Sequence, residues 1–313
     1  MPAVITRGAF SAKAFGFTGK TGAASGTVGI FQIGYNGGVV VCRNKYTFST
    51  DANGSATSST CGNAQAAGTG NSTRGIFSLN NVITRNKYTY ACDTSGSAAS
   101  STVQSFFGAA AGNSTRGIFA LGSTPGTPFL TTRNKYTYAT DTNCSATSGT
   151  GGRYQSAAGN STRGIFAIGQ TSLCFSVSTT RNKYTYACDT NGSATAASVA
   201  TSQGSAAGTS SVGIFALGAT CGLNRSTTRN KYTYSCDTSG SATVASVASK
   251  WGAASGNNTR GIFALGCTGT GGCSSTTRNK YTYACDTNSC ATASSVASAR
   301  ASAASNGTCG VNV

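Results

Sequence analysis

Histidine and glutamate are both missing from the 313 residues, and six aspartates are the only acidic side chains. That inventory removes most hydrolytic chemistry at once. A Ser-His-Asp triad, a Cys-His pair and a pair of glutamates working as acid and base are all impossible. Metal sites built on histidine go with them, and no Cys-x-x-Cys pair is present. What remains is Lys, Arg, Tyr, Asp and 13 cysteines. The aspartates are Asp51, Asp93, Asp141, Asp189, Asp237 and Asp286, one per copy of a repeated unit. Repetition spreads them around the molecule instead of gathering them at one centre. The expectation is a non-catalytic protein with no cofactor and no metal.

Each aspartate lies eight residues after the arginine of an Arg-Asn-Lys-Tyr-Thr-Tyr/Phe string, which begins at Arg43, Arg85, Arg133, Arg181, Arg229 and Arg278. Read as a strand, this string places Arg43, Lys45, Thr47 and Asp51 on one face, with Asn44, Tyr46 and Phe48 on the other. The basic groups then stand near the carboxylate, so Arg or Lys should pair with Asp within a blade or across to the next. Arg85, Lys87 and Asp93, then Arg133, Lys135 and Asp141, then Arg181, Lys183 and Asp189 are expected to form such structural ion pairs. One carboxylate cannot neutralise two cations, which leaves a surplus of positive charge for solvent or a partner.

The elements that hold these residues follow from the repeat. A second motif, usually Gly-Ile-Phe-Ala-Leu-Gly, begins at Gly29, Gly75, Gly117, Gly164, Gly213 and Gly261, with a weaker copy at Gly310. Each unit of about 48 residues reads as four short strands joined by tight turns, and that period points to a propeller blade. Strand a is small and apolar, as in Gly108-Ala109-Ala110-Ala111, and suits a crowded axis. Strand b is the Gly-Ile-Phe motif, strand c carries the tyrosines, and strand d is the Ser-Ala-Thr run. Asn-x-Ser/Thr strings at Asn71, Asn113, Asn160 and Asn257 fall in the a–b turn, where turn chemistry accounts for them.

Taken as a strand b, Gly310–Val313 leaves the last unit without strands c and d, and Val4–Phe17 aligns with a strand d. The expected fold is therefore all-β, a single domain over residues 1–313 forming a seven-bladed β-propeller of four-stranded antiparallel blades. Six complete repeats would be joined by one blade shared between the N- and C-termini, from 1–17 and 298–313.

The run of apolar residues before a glycine, the Tyr then Asp, and an Arg just before the Ala run (Arg300, with Arg153 in a related place) resemble kelch-type propeller repeats. Kelch units carry a double glycine after strand b and a tryptophan in strand d. This chain has a single glycine there (Gly122, Gly169, Gly218, Gly266) and only Trp251, just before strand a. The strings Thr-Arg-Asn-Lys-Tyr-Thr-Tyr and Gly-Asn-Ser-Thr-Arg-Gly-Ile-Phe-Ala-Leu-Gly are similar, over essentially the whole chain, to repetitive kelch-like proteins of tailed bacteriophages, cyanophages among them. That resemblance implies a virion component of the tail or surface, used for assembly or host attachment, with other virion proteins or a host cell-surface glycan as partners.

Variation between units marks a recognition face. The a–b and c–d turns hardly change, and alternation puts both on one rim. The b–c and d–a connections share the other rim, and the b–c segments vary freely. Recognition residues usually sit on such loops. Phe129, Leu130, Leu173, Phe175, Asn224 and Arg225 are the candidates. For the cysteines, equivalent copies in neighbouring blades stand too far apart to bridge. Cys267 with Cys273 and Cys285 with Cys290 are the feasible disulfides.

The formal charge of +17 favours acidic partners. It leaves nucleic acid open as a partner without favouring it, and the alternative to a virion protein is a soluble or secreted, lectin-like binder of anionic glycans. No apolar stretch approaches the ~20 residues that span a bilayer, and Met1–Arg7 shows no secretory signal. Membrane insertion is not expected, and the location is the virion or, alternatively, the extracellular space.

Overall fold

Ala, Gly and Ser fill the strands nearest the axis, and they are fully or almost fully buried there. The computed structural model describes residues 27–307, except 63, 80, 174–175, 222–223 and 270–273, together with the backbone of 311–312. Three strands come first: β1 (Val28–Gln32), β2 (Arg43–Thr47) and β3 (Ala52–Ala56). Five antiparallel sheets follow in order, each built on four consecutive strands. They are β4–β7 (Gly68–Gly70, Arg74–Ser78, Arg85–Thr89, Thr94–Ala98) and β8–β11 (Ala109–Gly112, Arg116–Ala120, Arg133–Thr137, Thr142–Ala146). Next are β12–β15 (Ser156–Gly159, Arg163–Ala167, Arg181–Thr185, Thr190–Ala194) and β16–β19 (Ser205–Gly208, Val212–Ala216, Arg229–Thr233, Thr238–Ala242). The fifth is β20–β23 (Ala253–Gly256, Arg260–Ala264, Arg278–Thr282, Thr287–Ala291), and β24 (Ser302–Ser305) and β25 (Val311–Asn312) end the chain.

The first three strands lack an inner partner until β24 returns. β24 pairs antiparallel with β1, Gly29 opposite Ser305 and Gln32 opposite Ser302, and so completes their sheet from the far end of the chain. The inner strands β4, β8, β12, β16, β20 and β24 then touch one another in sequence, and β24 touches β4. The ring is closed. The chain is a β-propeller of six blades.

The expected seven blades are thus overturned. Six strands b and six strands c belong to the same six sheets, and β24 supplies the one missing strand a, so no wedge is left for another blade. The shared blade takes one strand from the C-terminal side and three from the N-terminal side. Val311 and Asn312, read from sequence as strand b, instead pair with the inner strand β12 at Ala158 and Ala157. There β25 stands against the inner strands of all six blades, inside the central channel. The segment Val4–Phe17 lies outside the described residues.

Blade-to-blade contact is made by the same few side chains each time. Ile165, Ala206, Phe215, Leu217 and Tyr232 form one such interblade core, and five more repeat the pattern. At the a–b turn, Asn113 Oδ1 accepts from the backbone N–H of Thr115 and Arg116, while its Nδ2 donates to the Ser161 carbonyl one blade on.

The charged residues form a second set of interblade links, and the lysines and arginines divide the work. Lys45, Lys87, Lys135, Lys183, Lys231 and Lys280 each pair with the aspartate of the next blade, and Lys280 to Asp51 closes the circle at 2.5 Å. Asp141 shows the whole clamp: besides Lys87 it accepts from Tyr136 Oη at 2.6 Å within its blade and from Ala99 N at 2.9 Å in the preceding one. Burial alone would raise these carboxyl pKa values. The hydrogen bonds and the lysine outweigh it, and bring Asp93 and Asp141 down to about 2.

The arginines do not join these pairs, contrary to expectation for Arg85, Arg133 and Arg181. Arg43, Arg85, Arg133, Arg181, Arg229 and Arg278 are at most 2% exposed. Arg133 reaches the next blade, where Nη1 donates to Asn191 Oδ1 at 2.7 Å and Nη2 to Asn182 Oδ1 at 3.2 Å. Its guanidinium lies 4.5 Å from the Phe166 ring centroid. Desolvation lowers its pKa to about 10, which leaves it charged at neutral pH. Amide oxygens and ring faces therefore hold six buried cations without a carboxylate. The surplus charge inferred from sequence is partly inside the molecule.

Because the clamped carboxyls are more acidic folded than unfolded, their contribution to stability is complete above the unfolded pKa of about 4 and is lost as pH falls through about 2. Melting temperature followed by circular dichroism should stay flat from pH 7 to about pH 4.5 and fall between pH 4 and pH 2. A decline that begins above pH 5 would contradict the clamp.

Candidate binding site at the axis

Close to the axis, one position in each blade changes chemistry from unit to unit. Just before each strand a stand Gln65, Phe107, Tyr154, Gln203, Trp251 and Arg300, six equivalent places with five different side chains. All six have left-handed backbones, with φ between 54° and 62°. For bulky residues that conformation is costly and persists only where the surroundings enforce it. Here a belt of main-chain bonds does so. Phe107 N donates to Gln65 O, Gln203 N to Tyr154 O, Trp251 N to Gln203 O, Arg300 N to Trp251 O and Gln65 N to Arg300 O, at 2.8–3.1 Å. Gln155 N completes the circuit by donating to Phe107 O at 3.3 Å. The glycine after strand b must let this belt pass: a Cβ on Gly169 would meet the belt carbonyl oxygen of Tyr154 at 2.5 Å.

These residues line a pocket on the propeller axis, open on the rim of the b–c and d–a connections, with about 330 Å³ of free space when the open solvent at its mouth is counted. Gln155 and Gln203 are 4% and 5% exposed. Gln155 Oε1, Gln203 Oε1 and Trp251 Nε1 are buried without a hydrogen-bond partner in the protein. The Phe107 and Tyr154 rings lie against each other with centroids 4.0 Å apart and give the pocket an apolar side.

Cations gather at its mouth. Lys250 Nζ and the Arg300 guanidinium each lie 4.5 Å from the Trp251 ring centroid, and the Arg153 guanidinium lies 5.3 Å from that of Tyr154. With the Gln65 amide oxygen turned toward Arg300, it accepts from Nη1 and Nε at 3.0 and 3.2 Å. Burial, then the neighbouring charges of Arg225 and Arg300, lower the Lys250 pKa. Every aspartate is engaged in an interblade clamp, so among the described residues no carboxylate pairs with these cations.

The loop residues picked out by sequence do not converge on this pocket. Phe129 is half-buried beneath the Arg153 guanidinium, at 5.6 Å. Leu130 packs onto the interblade cluster containing Phe119, Leu121 and Tyr136, so both residues are taken up in packing outside the pocket. Leu173 is 62% exposed, Asn224 is exposed, and Arg225 is half-buried with Nη1 3.8 Å from Cys267 Sγ. Phe175 lies outside the described residues. The rim is the one picked out from loop variation, but its built cavity lies at the centre.

Cysteine pairing also departs from expectation. Cys285 and Cys290 are exposed free thiols. Cys290 faces Asn279, three rungs beyond the last pair Thr282–Thr287. That places it roughly 10 Å along the strand from the turn, beyond disulfide reach. Cys267 is buried, and its expected partner Cys273 lies outside the described residues.

Neither the family models nor the curated proteins compared with this chain match it. The kelch-like and phage-like character therefore stays a resemblance of strings, while the propeller architecture stands on the coordinates.

Proposed function

We propose that this chain is a non-catalytic recognition module that turns one rim of a rigid propeller toward an anionic surface. The observation that carries the reading is the contrast between the two charge systems. Away from the pocket, Lys and Asp are matched one to one between blades. Around the axial mouth, Arg153, Lys250 and Arg300 collect beside aromatic rings and unsatisfied amides. A repeat that only had to hold itself together would have no reason to vary at the ring.

The setting we favour is a virion, as a tail or surface component that attaches to a host glycan, and this rests on the resemblance to repetitive phage propellers. A secreted lectin-like binder would offer the same rim. Mass spectrometry of purified particles separates the two. The chain should be found in virions, and its absence from them would sink the viral setting while leaving the binding reading intact. On a glycan array, acidic glycans should be retained over neutral ones, with retention falling steeply between about 50 and 500 mM salt as charges are screened. No preference for acidic glycans at low salt would defeat the reading itself.

A further inference from the structure

We propose that the axial pocket is a subsite for a carboxylated pyranose, the sugar acid at one end of an acidic glycan; this names the ligand of the rim described above and rests on that reading. Three features of the pocket converge on such a molecule. A pyranose offers hydroxyls that both donate and accept, and among the residues lining the pocket Gln155 Oε1, Gln203 Oε1 and Trp251 Nε1 are buried without a hydrogen-bond partner. Burying such groups unsatisfied is costly, and a ligand that completes them recovers the cost. The C–H face of the sugar ring is apolar and fits the side formed by Phe107 and Tyr154. A carboxylate matches Arg300, which Gln65 and Trp251 hold in place, and Lys250 beside it.

The pocket is also a cup rather than a passage. β25 occupies the channel alongside Ala157 and Ala158, close to Gln155 in the chain, so a ligand entering from the rim meets a floor. The enclosed space is small and the cup stands open to solvent, so it takes the terminal unit of a chain more readily than its middle.

Trp251 is the only tryptophan of the chain and lines the pocket, so its fluorescence reports this site alone. Titration with glucuronic acid should give a saturable change in Trp251 emission. Glucose should bind at least tenfold more weakly, and glucose 6-phosphate separates recognition of a carboxylate from that of any anion. Arg300→Gln should weaken glucuronate binding at least tenfold and leave glucose unchanged. Gln already occupies the equivalent ring positions 65 and 203, so this side chain suits the backbone there. Phe107→Gln should weaken both sugars. Calorimetry on the same proteins checks the affinities independently of the fluorophore.

Equal binding of glucose and glucuronate, tighter binding of the phosphate, an unaltered Arg300→Gln protein, or no saturable response would each overturn the proposal. The two readings fail in different ways. If Arg300→Gln and Phe107→Gln keep the acidic-glycan retention of the intact protein on the array, the pocket is wrong and the rim reading survives. If the intact protein retains no acidic glycan, the broader reading falls.

Discussion

Ending the chain at residue 301 should abolish cooperative unfolding, whereas ending it at residue 307 should leave cooperative unfolding in place. The difference is β24. Without Ser302–Ser305 the first blade loses its inner strand, β1 keeps an open edge, and β20 and β4 lose the neighbour that joins them. An open ring exposes the small apolar faces that closure buries, and unpaired strand edges recruit other chains. The shorter protein should show a broad thermal transition without a clear midpoint and should elute as aggregates in size-exclusion chromatography. The longer one keeps all six blades and loses only the channel strand. A sharp transition in the protein ending at 301 would mean that closure through β24 does not govern stability.

The second large effect concerns the buried arginines. Arg133→Ala should cost about 3–5 kcal/mol, because it opens a cavity and strips a charged hydrogen-bond donor from two amide oxygens. The two acceptors are Asn182 Oδ1, which still holds Thr150 N at 2.7 Å, and Asn191 Oδ1. Arg133→Lys should recover little, since an ammonium cannot serve both amides and stack on Phe166 together. Arg133→Met fills the space without a charge to desolvate and should be the mildest of the three. Lys135→Ala, two residues along the same strand, should cost at most about 1 kcal/mol, as its pair with Asp189 is partly exposed. Guanidinium unfolding of the four variants checks the order. A loss for Lys135→Ala as large as for Arg133→Ala would place the interblade strength in the ion pairs instead.

Much of this architecture could be read from spacing. The strand order, the placement of Ala at the axis and of Tyr farther out, and the Lys–Asp alternation all follow from local strings repeated at a fixed interval. The blade count could not be read so directly. Gly310 falls 24 residues after Asp286, the interval that introduces a strand b elsewhere, so arithmetic favours a seventh sheet. The decision rests on Ser302–Ser305 pairing with Gly29–Gln32, a contact between opposite ends of the chain with no local signature. Charge misled in a similar way. Arginine in an alternating string suggests a solvated face, and only the positions of Asn182 and Phe166 in the neighbouring blade show that Arg133 goes inside. The axial ring was legible in principle. Gln65, Phe107, Tyr154, Gln203, Trp251 and Arg300 vary while the inner strands that follow them stay small, but loops of changing length drew attention to the outer rim.

The interblade clamps have one more consequence. With no histidine or glutamate in the chain, and all six aspartates kept more acidic than usual, the acidic side chains stay ionised between about pH 4 and pH 7. The negative part of the field that the scaffold projects is therefore constant from an acidified vesicle to neutral water. Whatever acidity does to a complex made by this rim, none of the six clamped carboxylates will be the titrating group.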